Sequence, residues 1–195
     1  MAKLAFIPCA CSIEGEGPPL FLIHGIGAAR NTWAKLMPIL TPFFTVVTYD
    51  LRGHGESPLP DGEFGLDDLV EDLEYIRQET GFEKAHFAGH SLGGMIGPAY
   101  ARAYPDHVLS LALLSTAAFR TPGDCTKVMA VVKAMEDRGI PNVLETLTDR
   151  WFTDDFIKNH PDIVHRRLDQ VIGTNADVFL NVFRIYATTE MSPWL

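Results

Sequence analysis

The sequence predicts an α/β fold, a mostly parallel, doubly wound sheet followed by a helical lid. Three observations carry this. Compact apolar and β-branched runs alternate with amphipathic helical stretches through residues 1–119. Strand, helix, strand, helix, strand in that order is the pattern of an open parallel sheet covered on both faces. From Thr126 to Tyr186 only helical spacing remains.

The composition fits this class. The 195 residues are enough for one sizeable core with a small lid. Hydrophobic residues make up 47% and charged residues 21%, ordinary values for a globular chain. A net charge of −9 argues against nucleic acid or an anionic membrane as main partner. It does not constrain a local small-molecule pocket. No apolar run reaches the roughly 18 residues of a membrane span. The opening "MAKLAFIPCACSIEGEG" has one lysine and is broken by Pro8, unlike a secretory signal. Cys9, Cys11 and Cys125 are odd in number and irregular in spacing, which reads as free thiols in a reducing cytoplasm. They suggest neither a disulfide framework nor a metal site.

The elements follow in order. "KLAFI" and "ACSIE" are short strand candidates before the turn "GEGPP". "LFLIHG" is a buried strand ending at Gly25, and "NTWAKLMPIL" a short helix capped by Asn31 or Thr32. "FTVVTYD" is a buried strand, and "LRGHGESPLPDGEFG" is loop. Leu66, Leu69, Val70, Leu73 and Ile76 recur at helical spacing, with Asp67 and Asp68 in the first turn where the helix dipole favours them. "KAHFAG" is the next strand, and "MIGPAYARAY" a helix with Pro98 near its first turn. "VLSLALLS" is a further buried strand. In the helical block, Met129, Val132 and Met135 form one apolar stripe. Ile163, Val164, Leu168, Val171 and Ile172 form a second, and Val178, Phe179, Val182, Phe183 and Tyr186 a third. The expected division is a core over 1–119 with strands one to six, a lid over 120–190, and the start of a return to the core over 191–195.

Chemistry concentrates at Gly89-His90-Ser91-Leu92-Gly93, a G-x-S-x-G between a strand and a helix. In that context the turn is tight and strained. Gly89 and Gly93 remove Cβ atoms that would clash, and Ser91 is exposed at a helix N-terminus as a candidate nucleophile. An acyl-transfer site also needs two N–H donors for the developing oxyanion. Leu92 follows the serine and is placed to give one. Ile26, in His24-Gly25-Ile26-Gly27 after an earlier strand, is placed to give the other. His24, Gly25, Gly27 and His90 complete the supporting loops, and the side chain of His90 is expected to point away from the serine. "YDLRGHGES" reads as a structural loop.

These three motifs, in this order, resemble the α/β-hydrolase superfamily, and the resemblance covers the whole chain. Within it, "EGEGPPLFLIHGIG", "GHSLGGMIG" and the lid stretch "DRWFTDDF" look like 3-oxoadipate enol-lactonases and related esterases. The resemblance implies an α/β-hydrolase-type sheet and a serine hydrolase that cleaves a small carboxylic ester or lactone, 3-oxoadipate enol-lactone among them. The reaction runs through a Ser91 acyl-enzyme without metal or organic cofactor. Serine at the elbow departs from dehalogenases and epoxide hydrolases, which use aspartate there, and from dienelactone hydrolases, which use cysteine. The competing readings are a general carboxylesterase, a non-catalytic ligand-binding protein of this fold, and an inactive fragment. Trp151 is a candidate pocket residue, with a packing role inside the lid as the alternative.

A serine hydroxyl needs a general base, normally a histidine oriented by a carboxylate. The superfamily places the acid after strand seven and the histidine after strand eight. No counterpart of either strand, of the acid loop or of the histidine is found before the closing "TTEMSPWL". Of the seven histidines, His24 and His54 lie in glycine loops, His86 in a strand, His90 in the elbow and His107 before a strand. His160 and His165 lie in the lid. Asp124 is the one acid at a position that some hydrolases use. The expectation is therefore the N-terminal part of a longer hydrolase whose last two strands come from a C-terminal polypeptide or missing segment. Without them "VLSLALLS" is an apolar sheet edge prone to aggregation.

Overall fold

The computed structural model describes residues 6–194. One five-stranded sheet is built from β1 (Cys11–Glu14), β2 (Pro19–Ile23), β3 (Thr45–Tyr49), β4 (Ala85–His90) and β5 (Val108–Leu114), in the order β1-β3-β2-β4-β5. β1 runs antiparallel to β3, and every other pairing is parallel. The helices are α1 (Met37–Leu40), α2 (Leu66–Thr80), α3 (Gly93–Ala103), α4 (Pro122–Arg138), α5 (Ile140–Leu144), α6 (Thr148–Trp151), α7 (Asp154–Asn159), α8 (Pro161–Ile172) and α9 (Ala176–Thr188).

The strands read as unbroken apolar runs because both faces of the sheet are used. Phe21, Ile23, Val47, Tyr49 and Phe87 join one core with Leu69, Val70, Leu73 and Ile76 of α2 and Met95, Ile96 and Tyr100 of α3. Their strand neighbours Leu20, Leu22, Val46 and Ala88 point the other way, against Trp33, Met37, Leu40 and Phe44. α2 starts with Asp67 and Asp68 in its first turn and stops at Gly81, whose φ of +75° ends the helix.

The third core belongs to the helical segment and holds Val132, Met135, Val143, Leu144, Val171, Phe179 and Phe183. α9 ties it to the sheet. Val178, Val182 and Ile185 face the main core, whereas Phe179 and Phe183 face the helical one. The Asn175 side chain starts α9 by accepting from Asp177 N (3.0 Å) and Val178 N (3.1 Å). After α9, buried Met191 and half-buried Trp194 fold back onto the main core.

Several expectations need correction. Residues 3–5 of "KLAFI" lie outside the described residues, and Phe6 and Ile7 are not in a strand, so five strands are seen rather than six. "NTWAKLMPIL" is not one helix but a 3-10 turn over Arg30–Trp33 and a separate α1. The turn begins early because Arg30 N donates to Asp50 Oδ1 (2.6 Å). Its N-cap is therefore Ala29, and neither Asn31 nor Thr32 caps it. Pro98 lies inside α3 rather than in its first turn, because the helix already starts at Gly93. Met129 and Ile172 are exposed, so the first two stripes are narrower than the periodicity implied. β5 is not buried. It pairs only with β4 among the described strands, and Leu109 remains 49% exposed. No helix among the described residues is long and apolar enough to cross a membrane.

Candidate active site

Ser91 lies between β4 and α3 with φ of +55°, a conformation that costs a non-glycine residue of order 1–3 kcal/mol. The neighbours that hold it there are backbone groups and one threonine. Ser91 N donates to the Leu114 carbonyl (2.9 Å), and the Ser91 carbonyl accepts from Gly94 N (3.0 Å) and Thr116 Oγ1 (2.8 Å). The glycines two before and two after the serine are sterically required. A Cβ on Gly89 would stand 2.0 Å from the Gly93 carbonyl oxygen, and one on Gly93 would stand 2.2 Å from the Ile23 carbonyl oxygen. A Cβ on Gly25 would come within 3.0 Å of Ser91 Cβ, so the two loops meet at the nucleophile position.

The His24–Gly27 loop is held by two buried histidines. His24 Nε2 accepts from Leu51 N (2.9 Å), which leaves the proton on Nδ1 to donate to the Gly25 carbonyl (2.8 Å). Ala28 N donates to that carbonyl too, at 3.2 Å. A trans peptide points its C=O and N–H in opposite directions. Tying the Gly25 carbonyl down therefore turns the Ile26 N–H the other way. Gly27 N donates to His54 Nε2 (3.2 Å), and His54 Nδ1 donates to the Arg52 carbonyl (3.0 Å). Neither the Ile26 N–H nor the Leu92 N–H has a protein acceptor among the described residues. Burial pushes the His24 imidazole down to about 3, helped by His54 beside it, and burial also lowers that of His54. Both are neutral hydrogen-bonding struts.

"YDLRGHGES" forms the scaffold beneath them. Asp50 accepts from Arg30 N and from Glu56 N (3.0 Å), and it pairs with the Arg30 guanidinium. Ser57 Oγ donates to the Asp50 carbonyl (2.6 Å) and accepts from Ala10 N (2.9 Å).

A cavity of about 550 Å³ opens above these loops and is bordered by Gly25, Ile26, His90, Ser91 and Trp151 together. His90 thus borders the same space as the serine, because it is the exposed last residue of β4 where the cavity opens. Partial burial and the nearby Arg167 lower its pKa. Sequence reasoning gave no site role to Ser115, Arg150, Phe152 or Arg167, and took Thr32 as a helix cap and Phe183 and Tyr186 as packing residues, yet all of them line the same space. Arg167 could have been found, because it falls on the apolar stripe of α8 between Val164 and Val171. Its guanidinium donates to the carbonyls of Gly27 and Ile26, the latter at 2.7 Å, and lies 5.4 Å from the centre of the Trp151 ring. Burial lowers its pKa to about 10, so it remains charged.

No hydrogen bond reaches Ser91 Oγ among the described residues. His86 bonds to Ser110 Oγ and His107 to the Glu83 carbonyl, while His160 packs on Phe156. Asp124 serves the N-terminus of α4. It and Thr121 form a reciprocal cap, and Lys127 stands 3.4 Å away.

A family model described as alpha/beta hydrolase fold matches residues 18–171. The chain is 25% identical to 3-oxoadipate enol-lactonase 2 of Acinetobacter baylyi, over 93% of this chain and 67% of that protein. It is 38% identical to a fluoroacetate dehalogenase of a Burkholderia species, over 53% of this chain and 36% of that protein. The crystal structure of the enol-lactonase from Burkholderia xenovorans LB400 superposes with a TM-score of 0.85 at 25% identity, covering 95% of this chain and 72% of that one. The chain thus spans about two thirds of the enol-lactonase it matches and about a third of the dehalogenase. With the family model matched over most of its length, the chain belongs to the alpha/beta hydrolase fold family.

Proposed function

We propose that Ser91 is the nucleophile of a serine hydrolase acting on a small carboxylic ester or lactone. Its Oγ attacks the carbonyl carbon, and the negative charge passes to the carbonyl oxygen between the N–H groups of Ile26 and Leu92. Collapse of that intermediate expels the alcohol or enol oxygen and leaves an acyl-enzyme. In a lactone the leaving oxygen stays attached to the acyl chain. Water then releases the acid. A hole donor of this kind contributes about a hundredfold or more to the rate. The proton from Ser91 goes to a base, which we assign, with its orienting acid, to polypeptide other than residues 1–195. None of the described histidines or carboxylates hydrogen-bonds to Ser91 Oγ. The segment α4–α9 acts as the lid, and Trp151 lines the pocket beneath it. Free Cys9, Cys11 and Cys125 support a cytoplasmic setting.

The observation that carries the reading is that Ser91 and Ile26 border one cavity, while the N–H groups of Ile26 and Leu92, the residue after the serine, have no protein acceptor among the described residues. The cavity lining also suggests the substrate class. In a chain with 25 acidic residues, this lining has Arg150 and Arg167 and no carboxylate. That favours an ester or lactone bearing a carboxylate, such as 3-oxoadipate enol-lactone, over a neutral ester. The test is intact-mass spectrometry after exposure to 4-nitrophenyl esters, with imidazole supplying the base from solution. One acyl group per chain on Ser91, absent from Ser91→Ala and formed faster from a glutarate monoester than from a butyrate, is expected. Acylation that persists in Ser91→Ala, or none at all, would refute the assignment.

A further inference from the structure

The Ile26–Gly27 backbone is gripped from two sides that belong to different parts of the chain. From the sheet side, His24 holds the Gly25 carbonyl at 2.8 Å and His54 accepts the Gly27 N–H at 3.2 Å. From the helical side, Arg167 of α8 spans two successive carbonyls, those of Ile26 and Gly27. Among the described residues no other donor reaches either carbonyl. Gly27 has φ of +59°, and a Cβ there would stand 3.0 Å from both Phe179 and Val171, so the loop fits under the helices without room to spare.

Arg167 is mostly removed from water yet has no acid partner. No carboxylate of the described residues lies within 4.0 Å of it, although the protein is acidic overall. Among the described residues its charge is met by two backbone carbonyls and the face of Trp151. A planar fork suits two adjacent carbonyls, and lysine has no equivalent geometry.

We propose that Arg167 is a positioning residue for the oxyanion hole. It fixes the Ile26–Gly27 backbone so that the Ile26 N–H faces the cavity, and it makes that geometry depend on α8 being docked. The hole is then assembled only when the helical segment covers the site. An open site has an unclamped loop, and water entering it meets an ineffective serine. This rests on the reading of Ser91 as nucleophile.

The experiment measures labelling of Ser91 by an uncharged alkyl fluorophosphonate with imidazole present, in wild type and in Arg167→Gln, Arg167→Lys and Arg167→Ala. An uncharged probe leaves substrate-charge recognition out of the comparison. In Arg167→Gln the limiting labelling rate should fall about tenfold to a hundredfold, by analogy with loss of a hole donor, while the half-saturating probe concentration holds steady. Guanidinium ion should restore Arg167→Ala and leave Ser91→Ala inert, a rescue that a purely structural role would not give. If Arg167→Ala fails to fold, Arg167→Lys carries the comparison, because it keeps the charge without the fork.

Amide hydrogen exchange gives an independent readout. The Gly27 amide should exchange at least about tenfold faster in Arg167→Gln, with Leu22 and Phe87 in the sheet unchanged. An unaltered limiting rate, or unaltered Gly27 protection, overturns the proposal. A wild-type chain that never labels removes the serine reading, and the exchange of Gly27 still decides whether Arg167 holds the loop.

Discussion

Gly27 donates its N–H to Nε2 of His54 at 3.2 Å, across 27 residues of sequence. The contact requires an unprotonated Nε2, as does the bond from Leu51 N to His24 Nε2. The two rings sit 5.4 Å apart, so protonating either one penalises the other. Burial is the main reason that both are held neutral, His24 down to about 3. The folded state thus binds protons less readily than the unfolded chain, where histidine titrates near about 6.5. Stability is complete above that pH and is lost as pH falls from about 6.5 toward the folded value. Thermal melts should show a falling Tm across this window. His54→Gln, whose amide oxygen can accept from Gly27 without titrating, should fall less steeply. Equal slopes in the two proteins would count against the strut role.

The elbow glycines Gly89 and Gly93 should respond to a single added methyl in the opposite direction to Gly97 within α3. At Gly89 and Gly93 the new Cβ meets backbone at 2.0 and 2.2 Å, which cannot be relieved by a side-chain rotation. Gly89→Ala and Gly93→Ala should each cost about 2 kcal/mol or more, in the range of overpacking with backbone displacement. Gly97 in α3 has 3.5 Å to its nearest neighbour, the Leu111 side chain. Gly97→Ala should stabilise by about 0.5–1 kcal/mol through helix propensity. Urea unfolding of the three variants checks the order.

Ser91 carries backbone strain that its side chain does not relieve. Ser91→Ala keeps a Cβ at φ of +55°, whereas Ser91→Gly removes it. Ser91→Gly should therefore be more stable than Ser91→Ala by about 1 kcal/mol. Chemical denaturation measures the difference, and equal midpoints would mean that the strain is absorbed elsewhere.

The scaffold beneath the site depends on one buried ion pair. Arg52 Nε and Nη2 donate to the two oxygens of Asp72 at 2.7 and 2.8 Å, and Ile7 N donates to Asp72 Oδ1 at 2.7 Å. Both side chains are almost fully buried. Asp72→Ala should cost about 3–5 kcal/mol by leaving a buried arginine short of its partner. Asp137→Ala, which breaks an exposed pair with Lys133, should cost less than about 1 kcal/mol. A small loss for Asp72→Ala would show that the remaining contacts of Arg52 carry its charge.

The parts legible in the sequence are those coded by neighbouring residues. Ser91 between Gly89 and Gly93, and Ile26 between Gly25 and Gly27, announce tight turns because the backbone there tolerates no side chain. The buried strands β2, β3 and β4 announce themselves by apolar residues on both faces. Arg167 was legible only as a charged residue out of place on the apolar stripe of α8, not by what it holds. Its partners, the carbonyls of Ile26 and Gly27, lie about 140 residues away and leave no side-chain trace. β5 misled for a related reason. Its leucines read as core, but burial depends on what lies beside the strand, and Leu113 and Leu114 are exposed. In "NTWAKLMPIL", the bond from Arg30 to Asp50 shifted the turn, which local propensity does not encode.

The most direct test of the central claim, that Ser91 is a nucleophile facing an oxyanion hole, is intact-mass spectrometry before and after a fluorophosphonate probe, with and without imidazole. The account expects a single adduct that maps to Ser91, forms faster with imidazole, and vanishes in Ser91→Ala. A chain that takes up no probe in imidazole, or whose adduct survives Ser91→Ala, would contradict it.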